Sequence, residues 1–264
     1  MKIYAKFQNI SLKAALAISI FAAGSSALSA PHPYKMGDTE AEGYLALPTK
    51  MTGNVPAVLI VHDWMGPSEF TQKKADEIAS LGYVALAVDI YGKGNSPKDV
   101  KEAGALAGKY KSDRAELRKR ITVAYNELKS VKGVDAKKIV VMGYCFGGTT
   151  ALELARSGAN LAGVVSFHGG LANPNPADAK NIKGRALIMH GAIDPYVPAE
   201  EVVAFQKEMN DAKVDYEFIA YSGAVHAFAV PGAGNNPAMG AAYNKVADQR
   251  SWAEFKNFMK EVTQ

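Results

Sequence analysis

Three residues that could form a catalytic triad occur in a suggestive order along the chain. Cys145, the only cysteine, lies in the segment Gly143-Tyr144-Cys145-Phe146-Gly147, which has the spacing of a G-x-S-x-G nucleophile elbow with cysteine in the serine position. Asp194 and then His226 follow it. A histidine can accept the thiol proton, and a carboxylate can hold the imidazole in the required tautomer. The order predicts Cys145 as nucleophile, Asp194 as orienting acid and His226 as general base.

A nucleophile elbow needs a sharp turn between a strand and a helix. The apolar run 139–142 precedes Cys145, and a helical pattern at residues 149–156 follows it. Glycines two residues to either side allow close approach of the neighbouring backbone. The dipole of the following helix favours a thiolate and a developing oxyanion at its N-terminus. This placement makes the short motif far more specific than its letters alone.

Short apolar runs alternate with amphipathic helical patterns along the chain, which favours parallel strands buried on both faces. The predicted strands are residues 57–61, 83–88, 139–142, 162–167, 185–189 and 216–220, with a candidate edge strand at 44–47. The predicted helices are residues 69–81, 113–131, 199–212 and 241–262. The alternation predicts an α/β fold with a mostly parallel sheet and helices on both faces.

Other polar residues at strand ends compete for catalytic roles. His62, His168 and His190 all follow predicted strands, but none comes after Asp194 in the chain. We expect structural hydrogen bonding for these histidines. Asp89 precedes the nucleophile and is interpreted as a carboxylate that fixes its own loop.

Two alternative functions stay open at this point. One is a serine-type esterase or peptidase with an unrelated nucleophile, because Ser166 and Ser222 lie near strand ends, although neither lies in an elbow. The other is a non-catalytic binding protein on the same fold, because a fold does not guarantee activity. The complete set of cysteine, aspartate and histidine argues against the second alternative.

The N-terminal segment has the layout of a secretory signal peptide. Lys2, Lys6 and Lys13 precede an apolar run at residues 14–21, and small residues continue to Ala30. The run is shorter than the ~20 residues that a spanning helix needs, which argues against a stable membrane anchor. We therefore predict a signal peptide over residues 1–30, cleaved near residues 27–30, and a single domain over residues 31–264. The predicted location is secreted or periplasmic.

Composition and charge exclude several classes of partner and cofactor. The 264-residue chain is 48% apolar and 21% charged, and its net charge is only +4. It has no basic run of the kind that binds nucleic acid. It has no H-E-x-x-H motif, no cysteine pair, no phosphate loop and no dinucleotide fingerprint. We expect neither a metal nor a cofactor, and the sequence defines no oligomeric state.

Five segments together resemble the dienelactone hydrolase (carboxymethylenebutenolidase) family. They are His-Asp-Trp-Met-Gly at 62–66, Asp-Ile-Tyr-Gly-Lys at 89–93, the elbow at 143–148, the segment 190–198 around Asp194, and Gly-Ala-Val-His-Ala-Phe at 223–228. The resemblance implies a compact α/β-hydrolase fold without a large lid. It also implies hydrolysis of a lactone or small carboxylic ester, as a small-molecule substrate, through an acyl-cysteine intermediate.

The resemblance assigns further roles around the predicted triad. The backbone N–H groups of Phe146 and Trp64 would form the oxyanion hole, since one follows the nucleophile and the other comes from the loop after the first parallel strand. Asp63 takes the place of an acidic residue that, in the family, interacts with the resting cysteine. The family type commonly has the longer glutamate there.

The substrate pocket is the least specific part of the prediction. Tyr91, Lys93, Tyr196 and Phe228 are its candidate lining residues. Dienelactone-cleaving members hold the substrate carboxylate with an arginine four residues after the catalytic histidine, and here that position is Val230. We therefore expect neutral lactones and small esters to be accepted at least as well as carboxylate-bearing ones.

Overall fold

The computed structural model describes residues 28–264, which build one eight-stranded sheet. The strands are β1 (Leu28–Met36), β2 (Thr39–Leu47), β3 (Val55–Val61), β4 (Val84–Val88), β5 (Val134–Tyr144), β6 (Gly163–Phe167), β7 (Arg185–Gly191) and β8 (Tyr216–Tyr221). Their order is β1-β2-β4-β3-β5-β6-β7-β8. β1 and β2 pair antiparallel, and β2 is antiparallel to β4. The six strands from β3 to β8 run parallel.

Six α-helices cover the two faces of the sheet. They are α1 (Glu69–Ser80), α2 (Val100–Ser112), α3 (Arg114–Ser130), α4 (Phe146–Arg156), α5 (Ala199–Asp211) and α6 (Lys245–Val262). Side-chain caps set several of the boundaries. Asp99 accepts hydrogen bonds from two N–H groups at the start of α2, and Asp113 separates α2 from α3 by capping the latter. Such caps satisfy N–H groups that have no partner within the helix.

Two hydrophobic clusters lie on opposite faces of the sheet, because the central strands are apolar at successive positions. Leu59, Leu86 and Val141 belong to the cluster beneath α2, α3, α4 and α5. Ile60 and Met142 belong to the other, beneath α1 and α6. Because these strands are buried on both faces, they appear in the sequence as continuous apolar runs. The expected α/β-hydrolase fold, with a mostly parallel sheet and no large lid over the described residues, is confirmed.

The structure also contains two elements that the sequence patterns did not predict. β1 begins with exposed residues and is buried only near its end, so it lacks a clear alternation. α2 buries only Ala103, Ala107 and Tyr110 and contains two glycines, which weaken its helical pattern. The last helix was predicted to begin at residue 241, but it begins at Lys245, where the Asn244 side chain caps it.

The predicted signal peptide lies mostly outside the described residues. Its last three positions, residues 28–30, form the start of β1 and pair with residues 45–47 of β2. Within residues 28–264, every helix is too short or too polar to span a bilayer.

Candidate active site

Cys145 lies at the sharp turn between β5 and α4. Its φ of +55° and ψ of −113° fall outside the regions that L-residues usually adopt. The turn is held by a 3.0 Å hydrogen bond from the Cys145 N–H to the carbonyl of Phe167 on β6. A Cβ on Gly143 would come within 2.1 Å of the Gly147 backbone, and one on Gly147 within 2.3 Å of the Val61 carbonyl. Both positions therefore require glycine.

His226 and Asp194 meet beside this turn, each just beyond a parallel strand. Asp194 follows β7, and its Oδ1 accepts a 2.8 Å hydrogen bond from the N–H of Tyr196. Its Oδ2 lies 2.8 Å from Nδ1 of His226. His226 follows β8 and is fixed by backbone hydrogen bonds with Gly240 and Ala242. Since the Asp194 carboxylate accepts a hydrogen bond from the Nδ1–H group, Nε2 is the nitrogen that remains to serve the thiol.

The surroundings of His226 favour its protonated form. Burial alone would lower the pKa of this imidazole, but the hydrogen bond to Asp194 and the interaction with Cys145 act more strongly together and raise the pKa to about 10. Negative charge on the carboxylate and on the sulfur stabilises an imidazolium placed between them. The arrangement is suited to a thiolate nucleophile with an adjacent proton donor.

Asp63, the predicted resting-state acid, lies in the wall of the same cleft as Cys145. Burial raises the pKa of its carboxyl group, although the hydrogen bond from the Met65 N–H and the charges of His62 and His226 counteract the rise. No hydrogen bond joins Asp63 to Cys145 in the part of the chain that the structure describes. Its interaction with the thiol stays a prediction.

The two predicted oxyanion-hole residues flank the nucleophile. Phe146 is the first residue of α4, and its buried ring stacks on His62 with ring centroids 5.9 Å apart. Trp64 follows β3, and its carbonyl accepts a 3.0 Å hydrogen bond from the hydroxyl of Tyr91. Both residues line the cleft beside Cys145. The loop after β3 and the start of α4 thus border the cleft, and the role of their backbone N–H groups as an oxyanion hole stays a prediction.

The cleft around these residues has a volume of about 800 Å³, and Tyr196 lines it as predicted. The structure places the three other predicted pocket residues outside the lining of the cleft. The Lys93 side chain is 55% exposed, and its ammonium group pairs with Glu42 on β2 at 2.7 Å, outside the cleft. Tyr91 lies behind the wall, where its hydroxyl supports Trp64. Phe228 is fully buried in the cluster beneath α1 and α6, because its side chain points back toward the sheet.

Several lining residues were missed at the sequence level. One wall of the cleft is formed by α2, through Val100, Gly104, Ala107, Gly108 and Lys111. No motif marks them, and the helix itself was not predicted. The helix could have been predicted from two features of its sequence. Asp99 is a typical N-cap residue, and the buried residues Ala103, Ala107 and Tyr110 follow it at helical spacing.

Most of the other candidate groups are structural; His168 instead lines the cleft, and neither of its ring nitrogens makes the expected hydrogen bond among the described residues. Nε2 of His62 accepts a 3.1 Å hydrogen bond from the Ile90 N–H, and its Nδ1 lies 2.6 Å from the Asp63 carbonyl. Burial lowers the pKa of His62 and of His190. Asp89 accepts hydrogen bonds from two N–H groups of its own loop. The hydroxyl of Ser166 is buried against glycines rather than in the cleft.

Potential metal ligands are dispersed through the chain. Over residues 28–264, no three histidine, cysteine, aspartate or glutamate side chains are grouped in a way that could hold a metal ion.

Comparison with known proteins assigns the chain to a family. The model of the dienelactone hydrolase family matches residues 41–263. The chain belongs to this family. A Yersinia pestis relative, named putative carboxymethylenebutenolidase, is 30% identical over 72% of this chain and 74% of its own length. A Bradyrhizobium protein, named probable 2-oxo-3-(5-oxofuran-2-ylidene)propanoate lactonase, is 30% identical over 79% and 84% respectively.

Two solved structures similar to this dienelactone hydrolase family member cover 91% of the chain and the whole of their own chains. One is m3DLH, with a TM-score of 0.87 and 36% identity. The other is a dienelactone hydrolase-like promiscuous phosphotriesterase from metagenomic libraries, with a TM-score of 0.86 and 34% identity. The predicted family membership is confirmed, and the chain is a hydrolase of this family.

Proposed function

We propose that this hydrolase cleaves a lactone or small carboxylic ester through an acyl-cysteine intermediate. The observation that carries the proposal is the 2.8 Å hydrogen bond between His226 Nδ1 and Asp194 Oδ2, formed beside a cysteine on a strained elbow. This bond fixes the tautomer and the orientation of the imidazole. The same geometry serves both proton transfers of an acyl transfer reaction.

Acylation begins with attack of the Cys145 sulfur on the carbonyl carbon of the substrate. The carbonyl oxygen becomes an oxyanion that accepts hydrogen bonds from the backbone N–H groups of Phe146 and Trp64. The bond from carbon to the leaving oxygen then breaks, and His226 transfers its Nε2 proton to that oxygen. The product is a thioester on Cys145 and a free alcohol or enol; in a lactone, both belong to one molecule.

Deacylation uses the same groups in the reverse order. Neutral His226 removes a proton from water, and the resulting hydroxide attacks the thioester carbon. The bond between carbon and sulfur breaks, which releases the carboxylic acid and returns the thiolate beside the imidazolium. Asp194 stabilises the imidazolium without taking the proton itself.

The cleft wall at Val230 bears on the charge of the substrate. Val230 lines the cleft where dienelactone-cleaving members carry an arginine, and Lys93 cannot replace it because it lies outside the cleft. The Bradyrhizobium relative is named for a lactone that bears a carboxylate. We infer that this chain accepts neutral lactones and small esters at least as readily, since no arginine fork selects the carboxylate at that position.

We also propose that the hydrolase acts outside the cytoplasm, in the periplasm or as a secreted protein. The support is the basic, apolar and small-residue order of the N-terminal segment, which is typical of a cleaved signal peptide.

The role of Cys145 is tested by substitution and by mass spectrometry. We expect Cys145→Ala to abolish hydrolysis of nitrophenyl acetate while leaving the thermal transition intact, because the nucleophile is lost and the fold is not. Intact mass spectrometry of the wild type during turnover of a slow ester should show one acyl adduct on the Cys145 peptide. Ser222→Ala, an exposed serine near a strand end, is the matched control and should retain full activity.

Thiol alkylation separates the proposal from its alternatives. The acyl-cysteine mechanism requires that alkylation of the single cysteine stop ester hydrolysis. A serine-type enzyme would keep its activity after alkylation, and a binding protein would show none beforehand. Full activity in Cys145→Ala would overturn the proposal.

A further inference from the structure

One face of α2 forms a continuous wall of the cleft. Val100, Gly104, Ala107, Gly108 and Lys111 all line it, and their spacing places them on the same side of the helix. A helix rises about 1.5 Å per residue, so this wall extends roughly 16 Å from Val100 to Lys111. The lining is small or apolar until Lys111 at its far end.

The two glycines of this face create open space. A Cβ on Gly108 would meet nothing within 4 Å, and one on Gly104 would meet only the Trp64 ring, at 3.9 Å. Neither glycine has a positive φ, so the backbone does not require it. Glycine is also a poor helix former. Gly104 and Gly108 therefore leave space within the cleft; they neither stabilise the helix nor form a turn.

A buried histidine in the same cleft points independently to a ligand. His168 is fully buried and lines the cleft. Neither of its ring nitrogens has a hydrogen-bond partner among the described residues. Burial, together with the nearby charge of His226, lowers the pKa of His168 well below its usual value, so the ring is neutral and offers one donor and one acceptor. Buried polar groups are almost always paired, and an unpaired one in a cleft wall is consistent with a bound molecule.

The sheet order indicates which part of an ester lies along α2. The nucleophile follows β5; α2 follows β4, which lies two strands to one side of β5, whereas His226 follows β8, three strands to the other side. His226 must protonate the leaving oxygen, so the leaving group belongs on its side of Cys145. The acyl group then extends toward the Gly104 end of α2, which faces the Trp64 ring after β3, whereas Lys111 at the other end reaches Gly170 after β6.

We propose that the Gly104–Gly108 face of α2 is an acyl-binding subsite for an elongated or bulky, largely apolar acyl group. This inference rests on the proposed ester hydrolysis at Cys145. The cleft volume of about 800 Å³ lies in the range of sites that hold drug-sized ligands, about 300–1,000 Å³. Esters of medium-chain or aromatic acids are therefore the substrate class that fills the site.

The experiment compares nitrophenyl esters whose acyl group lengthens from acetyl through butyryl and hexanoyl to octanoyl. In the wild type we expect kcat/KM to rise with chain length by about fourfold for each methylene that becomes buried. Gly108→Leu fills the open space of the subsite. It should lower kcat/KM for the octanoyl ester by roughly tenfold or more and change that for the acetyl ester by less than about twofold.

Ala105→Leu is the matched control, because Ala105 is exposed on α2 and does not line the cleft. It should leave the whole ester series unchanged. Leucine is a better helix former than glycine, so Gly108→Leu should melt at or above the wild-type temperature. Ala105→Leu exchanges two strong helix formers at an exposed position and should melt close to the wild type. Gly104→Ala provides a second, smaller substitution on the cleft face and should lower the octanoyl preference in the same direction.

The outcomes distinguish the subsite from the underlying reaction. Equal loss for acetyl and octanoyl esters in Gly108→Leu, or no loss for either, would overturn the subsite. So would a penalty found only when the alcohol part of an acetyl ester is lengthened, because that would place the leaving group on α2. Wild-type hydrolysis of the acetyl ester that depends on Cys145 would still support the proposed reaction in each of these cases.

Discussion

One hydrogen bond decides which nitrogen of His226 faces the thiol. The Asp194 carboxylate accepts from Nδ1 at 2.8 Å, which leaves Nε2 for proton transfer. The same carboxylate is anchored by the Tyr196 N–H, so the imidazole is held by a group that is itself fixed. His226 is therefore positioned by two successive hydrogen bonds, its own to Asp194 and that of Asp194 to the Tyr196 N–H, and not by its own loop alone.

The raised pKa of His226 has a measurable consequence. We expect its imidazole, followed by NMR, to titrate near pH 10 in the wild type and at lower pH in both Asp194→Asn and Cys145→Ala, because each variant removes a group that stabilises the imidazolium. Below about pH 10 the proton needed by the leaving group is then in place, and kcat/KM should fall as the pH rises through that value.

Asp215→Asn is the control for this titration, since Asp215 is an exposed partner of Arg185 at the amino end of β8, whereas His226 follows the carboxyl end of that strand. It should leave the His226 titration unchanged. An ordinary wild-type pKa near 6.5 would contradict the interpretation.

At the residue scale, sequence reasoning worked where a motif has a fixed local geometry. The elbow spacing and the order of Asp194 and His226 were enough to single out three residues that the structure places together. Pocket residues were harder to predict, because the direction of a side chain depends on neighbours distant in sequence. Lys93 is drawn away by Glu42 on β2, and Phe228 by the core beneath α1 and α6.

At the element scale, the junction of β5 and α4 depends on two glycines in tight contact. We expect Gly143→Ala to lower the free energy of unfolding by about 3 kcal/mol or more, since the new methyl group would come within 2.1 Å of the Gly147 backbone. Activity should fall with it because Cys145 sits between the two. Urea denaturation and an ester assay measure both effects.

Gly108→Ala is the contrasting substitution at a glycine with open surroundings. It should raise the free energy of unfolding by up to about 1 kcal/mol, the usual difference between the two residues in a helix. A Gly143→Ala protein as stable as the wild type would contradict the tight packing of the Gly143 and Gly147 backbone.

The elements were predictable in proportion to how strongly they are buried. The parallel strands from β3 to β7 are largely buried and were visible as apolar runs, whereas β8 was predicted although it is only partly buried. α2 was missed because its exposed face, its cleft face and its glycines leave only three buried positions. A helix that lines a site instead of packing in the core has fewer buried apolar residues, so its sequence shows a weaker hydrophobic periodicity.

At the scale of the whole molecule, export makes a prediction about where the mature chain begins. When the full chain is expressed in a Gram-negative bacterium, we expect periplasmic protein whose intact mass places its first residue between Leu28 and Pro31. Cleavage after residue 27 would keep β1 whole, and cleavage after Ala30 would remove three of its paired residues. Leu16→Arg interrupts the apolar run and should hold the protein in the cytoplasm. A wild-type mass beginning at Met1 would count against export.

Both ends of the described chain lie near the amino ends of the parallel strands, whereas the cleft lies at their carboxyl ends. Leu28 pairs with Leu47, which lies toward the amino end of β4 because β2 runs antiparallel to it. Near the C-terminus, the Thr263 carbonyl accepts a 2.9 Å hydrogen bond from Lys138, toward the amino end of β5. A tether attached at either terminus would anchor the enzyme to a bead or an electrode with the mouth of the cleft turned toward the solution, so immobilisation should leave access of the substrate unobstructed.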